Sequence, residues 1–136
     1  MACGAKPQIQ YQEVPLKNKI LIVEDEPYLL KLESILLSSK GYEIEGVSDG
    51  QAALDAVATM KPDLLLLDIM LPKINGFEVC RQIKANEATC HIPVIMLTAK
   101  NSAEDFAKGK QVGANDYITK PFKSVKVIKA IQRFLS

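Results

Sequence analysis

Short aliphatic runs alternate along this chain with stretches whose apolar residues recur every three or four positions. Lys19 to Val23, "KILIV", predicts a strand. Tyr28, Leu29, Leu32, Ile35 and Leu36 then follow helical spacing, and the pattern stops near Gly41. Tyr42 to Val47 alternates like a second strand. Ser48-Asp49-Gly50-Gln51 has the form of a capping box, Ser followed three residues on by Gln, ahead of a helix to Met60. A leucine run, "PDLLLLDIMLP" (Pro62 to Pro72), predicts the third strand. Asn75-Gly76-Phe77-Glu78 opens a helix to about Lys84, and Pro93 to Thr98 is a fourth strand. Ser102 is placed to cap a helix ending at Gly113, and Asp116 to Thr119 is a short fifth strand. The last helix runs from about Lys123 to Leu135, with Val127, Ile128, Ile131, Phe134 and Leu135 on one stripe. Five strands alternating with five helices imply a doubly wound α/β domain around a parallel sheet.

The leucine run sharpens that picture. Four apolar residues without alternation read as a strand buried on both faces, and Asp68 at its end is costly unless water, a cation or donors meet it. The 136 residues are enough for one domain with a real core, and 48% hydrophobic with 24% charged residues is ordinary for a globular chain. A formal net charge of +1 speaks against broad, nonspecific nucleic-acid binding. From Thr98 onward there are eight Lys/Arg against three Asp/Glu, leaving nine against thirteen of the totals of 17 and 16 for the earlier part. The back third is basic and the front acidic. Cys3, Cys80 and Cys90 form no CxxC pair, so neither metal-site spacing nor a disulfide framework is legible. Residues 1–17 carry no clear period and read as a flexible extension, with 18–136 as the domain. No apolar run has signal-peptide or transmembrane character, so a cytoplasmic setting without membrane insertion is expected.

In an open parallel sheet, ligands gather beyond the carboxyl ends of the strands. Strand one delivers Glu24, Asp25 and Glu26 there; strand two, Ser48 and Asp49; strand three, Asp68; strand four, Thr98; strand five, Thr119, Lys120 and Pro121. Carboxylates within a few ångströms repel, and a hard divalent cation resolves the conflict; oxygen ligands with waters retained suit Mg²⁺. A metal, an ammonium and a hydroxyl around one carboxylate describe a site for phosphoryl transfer, with that carboxylate as nucleophile. Taken singly, each residue also has a plain structural role: "EDE" as a solvated turn, Thr98 as a strand-end cap, Lys120 as a loop lysine. It is their joint placement at four strand ends that favours chemistry.

From Lys19 to Leu135 the chain resembles the receiver domain of two-component response regulators. The resemblance rests on "VEDE", "LLLLDIMLPKINGFE", "IPVIMLTA" and "GANDYITKPF", and on intervals of 30 residues from Asp68 to Thr98 and 52 from Asp68 to Lys120. It implies a flavodoxin-like fold with strand order 2-1-3-4-5. Asp68 would be the phosphoacceptor, taking a phosphoryl group from a histidine kinase or a phosphotransfer protein of a phosphorelay. Glu24, Asp25, Asp68 and the Met70 backbone carbonyl would hold Mg²⁺. Thr98 and Lys120 would contact the phosphoryl oxygens, Lys120-Pro121 would be a cis peptide, and Tyr117 would be the switch aromatic partnered with Thr98. The resemblance further implies a protein partner on the face of helix four, strand five and helix five. It implies no turnover enzyme, only assistance of the domain's own aspartyl phosphorylation and dephosphorylation.

Position 24 is Glu where many members carry Asp, and Met70 and Lys100 stand where the family tunes dephosphorylation. The chain is expected to act as a stand-alone regulator with no DNA-binding output of its own. The alternatives are a receiver fragment of a longer response regulator and a flavodoxin-like cofactor binder. The second would need a phosphate-cradling loop where "EDE" places negative charge. An aspartyl-phosphate hydrolase would usually carry a second Asp at position 70, which is Met.

Overall fold

The computed structural model of the chain describes residues 17–98, 103–119 and 124–135. The element order is β1 (Lys19–Val23), α1 (Pro27–Ser39), β2 (Glu43–Val47), α2 (Gly50–Met60), β3 (Leu64–Asp68), α3 (Gly76–Ala85), β4 (Val94–Thr98), α4 (Ala103–Gln111), β5 (Asp116–Thr119) and α5 (Ser124–Leu135). The strands form one parallel sheet in the order β2-β1-β3-β4-β5. Both the alternation and the strand order expected from the sequence are present.

Two apolar layers hold the sheet. On one face Leu21, Val23, Leu65, Leu67, Val94 and Met96 pack with Ala53 and Val57 of α2 and with Val79, Cys80 and Ile83 of α3. On the other, Ile20, Ile22, Leu64, Leu66, Ile95, Leu97 and Ile118 pack with Leu37 of α1 and with Val127, Ala130 and Ile131 of α5. β3 and β4 therefore have no solvent side, which is why neither shows polar alternation. β2, at the edge, exposes Glu43 and Glu45 and is the strand that does alternate.

One local expectation is corrected. α2 is capped by Asp49 and not by the Ser48–Gln51 box: Asp49 Oδ1 accepts from the Ala52 N–H at 2.8 Å, while Gln51 bonds Asp55 on the helix surface. The carboxylate one residue nearer the helix reaches the free N–H groups and displaces the serine from that duty. On α1 the helical spacing of the apolar residues holds, and the structure shows which of them turn inward. Tyr28, Leu32 and Ile35 are exposed, whereas Leu37 is buried and Leu30 packs on the α5-side layer. Apolar residues surround this helix, so spacing alone does not choose the inward stripe. Residues 1–16, Ser102, Lys120 and Pro121 lie outside the described residues, and so does the expected cis peptide. Among the described residues, no helix is long and apolar enough to cross a membrane.

Candidate functional site

The acidic triplet after β1 divides its labour. Glu24 is buried at 1% exposure, and its Oε2 accepts from the Glu26 N–H at 3.2 Å. The Glu24 N–H in turn donates to the Val47 carbonyl of β2 at 3.0 Å, extending the ladder past the strand end. Asp25 is exposed. Glu26 is the N-cap of α1, accepting from the N–H groups of Tyr28 and Leu29 at 3.2 and 3.1 Å, with Pro27 behind it at the first helical position. The third acid thus starts a helix, and sequence reading, which placed all three at the sheet edge, did not separate its role.

Asp68 closes β3 at 6% exposure. Its backbone is fixed by a tight bend. The Ile69 N–H donates to the Leu97 carbonyl at 3.1 Å, and the Gly76 N–H donates to the Ile69 carbonyl at 2.9 Å. A Cβ at Gly76 would run into the Asp68 carbonyl oxygen, so only glycine lets α3 start this close to the strand. Asn75 caps that helix through the Glu78 N–H at 3.1 Å. Asp68 Oδ1 receives a long contact, 3.4 Å, from the N–H of Met70, whose own side chain is 75% exposed.

Carboxylate oxygens of Glu24, Asp25 and Asp68 lie within 4.8 Å of one another. Asp49, also predicted at the strand edge, stands apart from this cluster. Its carboxyl is held below the usual range by the Ala52 N–H first, with Lys73, 3.6 Å away, adding to the effect against partial burial. The oxygen-only donor set, negatively charged and half sunk in the fold, suits a hard divalent cation.

Thr98, at 3% exposure, ends β4 beside Asp68: Asp68 is in register with Leu97, and Thr98 with Thr119 of β5. Tyr117 is in register with Met96, and its hydroxyl is sunk in the fold near Thr98. Its hydroxyl oxygen is buried without a strict hydrogen-bond partner among the described residues. Burial pushes the phenol's pKa up, the nearby Thr98 hydroxyl offsets this in part, and Asp105 adds to the rise. The ring lies against Phe106 of α4, centroids 4.1 Å apart and planes tilted by 36°. Phe106 was not singled out from the sequence, where a lone aromatic in a polar helix carries no signal of its partner.

The response regulator receiver domain model matches residues 20–132. The chain belongs to the response regulator receiver family. The alkaline phosphatase synthesis transcriptional regulatory protein PhoP of Bacillus subtilis is 43% identical over 121 residues, covering 87% of this chain and 50% of PhoP. The DNA-binding response regulator MtrA of Mycobacterium tuberculosis is 39% identical over 117 residues, 86% of this chain and 50% of MtrA. This receiver domain thus spans about half the length of those relatives.

Among solved structures, the chemotaxis response regulator CheY4 of Vibrio cholerae superposes with a TM-score of 0.83 at 32% identity, over 88% of this chain and all of CheY4. The receiver domain of the Pseudomonas aeruginosa sensor histidine kinase PA1611, solved with a magnesium ion in its active-site cleft, gives 0.81 at 34% identity, over 88% and 98% of the two chains. The receiver assignment and the two-component setting expected from the sequence therefore hold.

Proposed function

We propose that Asp68 is the phosphoacceptor of this receiver domain, charged from the phosphohistidine of a histidine kinase or phosphotransfer protein. The observation that carries the reading is the convergence of three carboxylates, two of them buried, at the end of an entirely buried strand. Like charges so close raise the energy of the fold unless a cation or a reaction uses them.

The Asp68 carboxylate oxygen forms the new O–P bond as the donor's N–P bond breaks, and the imidazole leaves with the bond's electron pair and takes up a proton. Glu24, Asp25, Asp68 and the Met70 carbonyl would hold Mg²⁺, which would supply neutralising charge to the phosphoryl oxygens. The buried β3 and the bend at Gly76 keep the nucleophile's position constant through the transfer. Thr98 donates its hydroxyl to the phosphoryl group, and Lys120, next after Thr119 in the chain, brings an ammonium. Water later cleaves the acyl phosphate, so the domain assists its own phosphorylation and dephosphorylation without turning over an external substrate.

Two surfaces serve partners. Exposed Tyr28, Leu32 and Ile35 run along α1, the helix that begins at the acidic cluster, and exposed Met70 flanks Asp68; together they offer the phosphodonor an apolar seat. The roughly two negative charges gained at Asp68 draw Thr98 and Lys120 inward, which favours the inner position of Tyr117 and alters the α4–β5–α5 face. A downstream protein reads that face. The setting is the cytoplasm, with residues 18–136 as the receiver and 1–17 as an extension. A second reading, favoured by the coverage of half of PhoP and MtrA, makes this the receiver portion of a longer regulator whose other portion contacts DNA.

The test is phosphorylation by acetyl phosphate with Mg²⁺, read by intact-protein mass spectrometry. A gain of one phosphoryl group, lost in Asp68→Ala and without metal, is expected. A folded protein that stays unmodified overturns the reading.

A further inference from the structure

α4 is an unusual helix in this fold because its one buried residue is a glycine, Gly109. Glycine inside a helix costs about 1 kcal/mol relative to alanine. No positive φ asks for it at this position. What the position does ask for is space. A Cβ built on Gly109 would lie 3.2 and 3.3 Å from Cδ2 and Cε2 of Tyr117, closer than carbon atoms normally approach, and 3.7 Å from the Met96 sulfur. Phe106, one turn earlier on the same helix, stacks against the ring with centroids 4.1 Å apart and planes tilted by 36°. A cavity of about 370 Å³, lined in part by Phe106, Gly109, Lys110, Asp116 and Tyr117, opens next to it and gives the ring a way out.

We infer that Gly109 is a positioning residue for Tyr117: its missing side chain is the notch in which the phenol ring turns inward toward Thr98. The inference rests on the phosphoacceptor reading for its link to Asp68, but not for the seat itself. A methyl group in the notch forces either the ring or α4 to give by a few tenths of an ångström. The ring has open space to move into, so the outer position gains. Since an equilibrium that favours the inner ring also favours the phosphorylated state, filling the notch weakens binding of a phosphoryl mimic at Asp68. Phe106 acts differently. It packs against the ring and does not occupy the space beside the Cδ2–Cε2 edge that Gly109 leaves free, so its loss leaves the inner position open.

The experiment compares the wild-type chain with Gly109→Ala, Phe106→Ala, Tyr117→Ala and the Gly109→Ala/Tyr117→Ala pair. Far-UV circular dichroism confirms folding. Nuclear Overhauser contacts from the Tyr117 ring to Thr98 report its position, and titration with Mg²⁺ and beryllofluoride reports coupling to Asp68. In Gly109→Ala the ring–Thr98 contacts should weaken and beryllofluoride affinity should fall on the order of threefold to tenfold. With Tyr117 already removed, Gly109→Ala should leave the affinity unchanged, which a general loosening of α4 would not do. Intact ring contacts in a folded Gly109→Ala overturn the inference, as does a Phe106→Ala protein whose ring is displaced equally far. A displaced ring with unchanged affinity establishes the seat and refutes the coupling of Tyr117 to Asp68 in the proposed function.

Discussion

β3 and α4 lie at opposite ends of one proposed signal and are built on opposite principles. Every residue of β3 is buried, and Leu64 to Leu67 are fully enclosed between two apolar layers. α4 buries only Gly109; its attachments include the Phe106–Tyr117 ring contact and a Lys108 ammonium 5.2 Å from the Phe77 ring. On the phosphoacceptor reading a nucleophile must be in the same place each time a donor arrives, and a strand buried along its whole length provides that. A reporter must move for little energy, so it sits where few apolar contacts have to be broken. On the proposed reading, the gradient of packing from β3 to α4 is what would separate chemistry from response.

The harshest way to probe the rigid end is chemical. Asp68→Asn keeps the shape of the side chain but removes the attacking charge, and should abolish phosphorylation by acetyl phosphate while leaving the fold intact. Intact-protein mass spectrometry decides it; a singly phosphorylated Asn variant would move the acceptor to another carboxylate of the cluster.

Packing should differ between the two ends by several fold in energy. Leu66→Ala opens a cavity within the fully buried strand and should cost about 2–5 kcal/mol by urea unfolding. Phe106→Ala removes a larger side chain from a surface where it is 38% exposed, and should cost under about 1.5 kcal/mol. Similar values for the two would erase the contrast between mount and reporter.

Much of this was readable in advance, for reasons that particular residues make plain. The uninterrupted leucines of β3 allow only a two-sided burial, and with five alternations of strand and helix that leaves little choice of architecture. The sheet-edge rule then placed Glu24, Asp25, Asp68 and Thr98 together without reference to any side-chain contact. The failures lie where several residues of one type compete. Leucines all around α1 leave its inward face unmarked, and the Ser48–Gln51 pattern masked the Asp49 carboxylate that caps α2. One feature was not legible at all: a glycine in α4 means nothing until the Tyr117 ring is seen against it.

Cys80 offers a pH test of the core behind the site. Its thiol is free and fully buried, and burial pushes its pKa from 9.0 up to about 11, with Lys84 opposing weakly. Between those values the unfolded chain has already lost the thiol proton while the folded chain retains it, so rising pH favours unfolding. Stability should fall by about 1–2 kcal/mol from this group as pH passes from 9 to 11. Urea midpoints across that range should decline more steeply in the wild type than in Cys80→Ala; parallel slopes would mean the thiol meets water in the native state.

The smallest effect separates neighbours within the acidic triplet. Glu26→Ala removes the α1 cap and should cost about 1 kcal/mol, with no change in how far Mg²⁺ raises the melting temperature. Asp25→Asn should do the reverse, relieving repulsion with Glu24 and Asp68 in metal-free buffer and removing the Mg²⁺ response. Thermal melts of both variants with and without 10 mM Mg²⁺, a level of order typical for weak oxygen-ligand sites, read out the pair. If Glu26→Ala also lost the Mg²⁺ response, cap and cluster would be one unit, because the Glu26 N–H that bonds Glu24 would then be setting the position of the buried carboxylate.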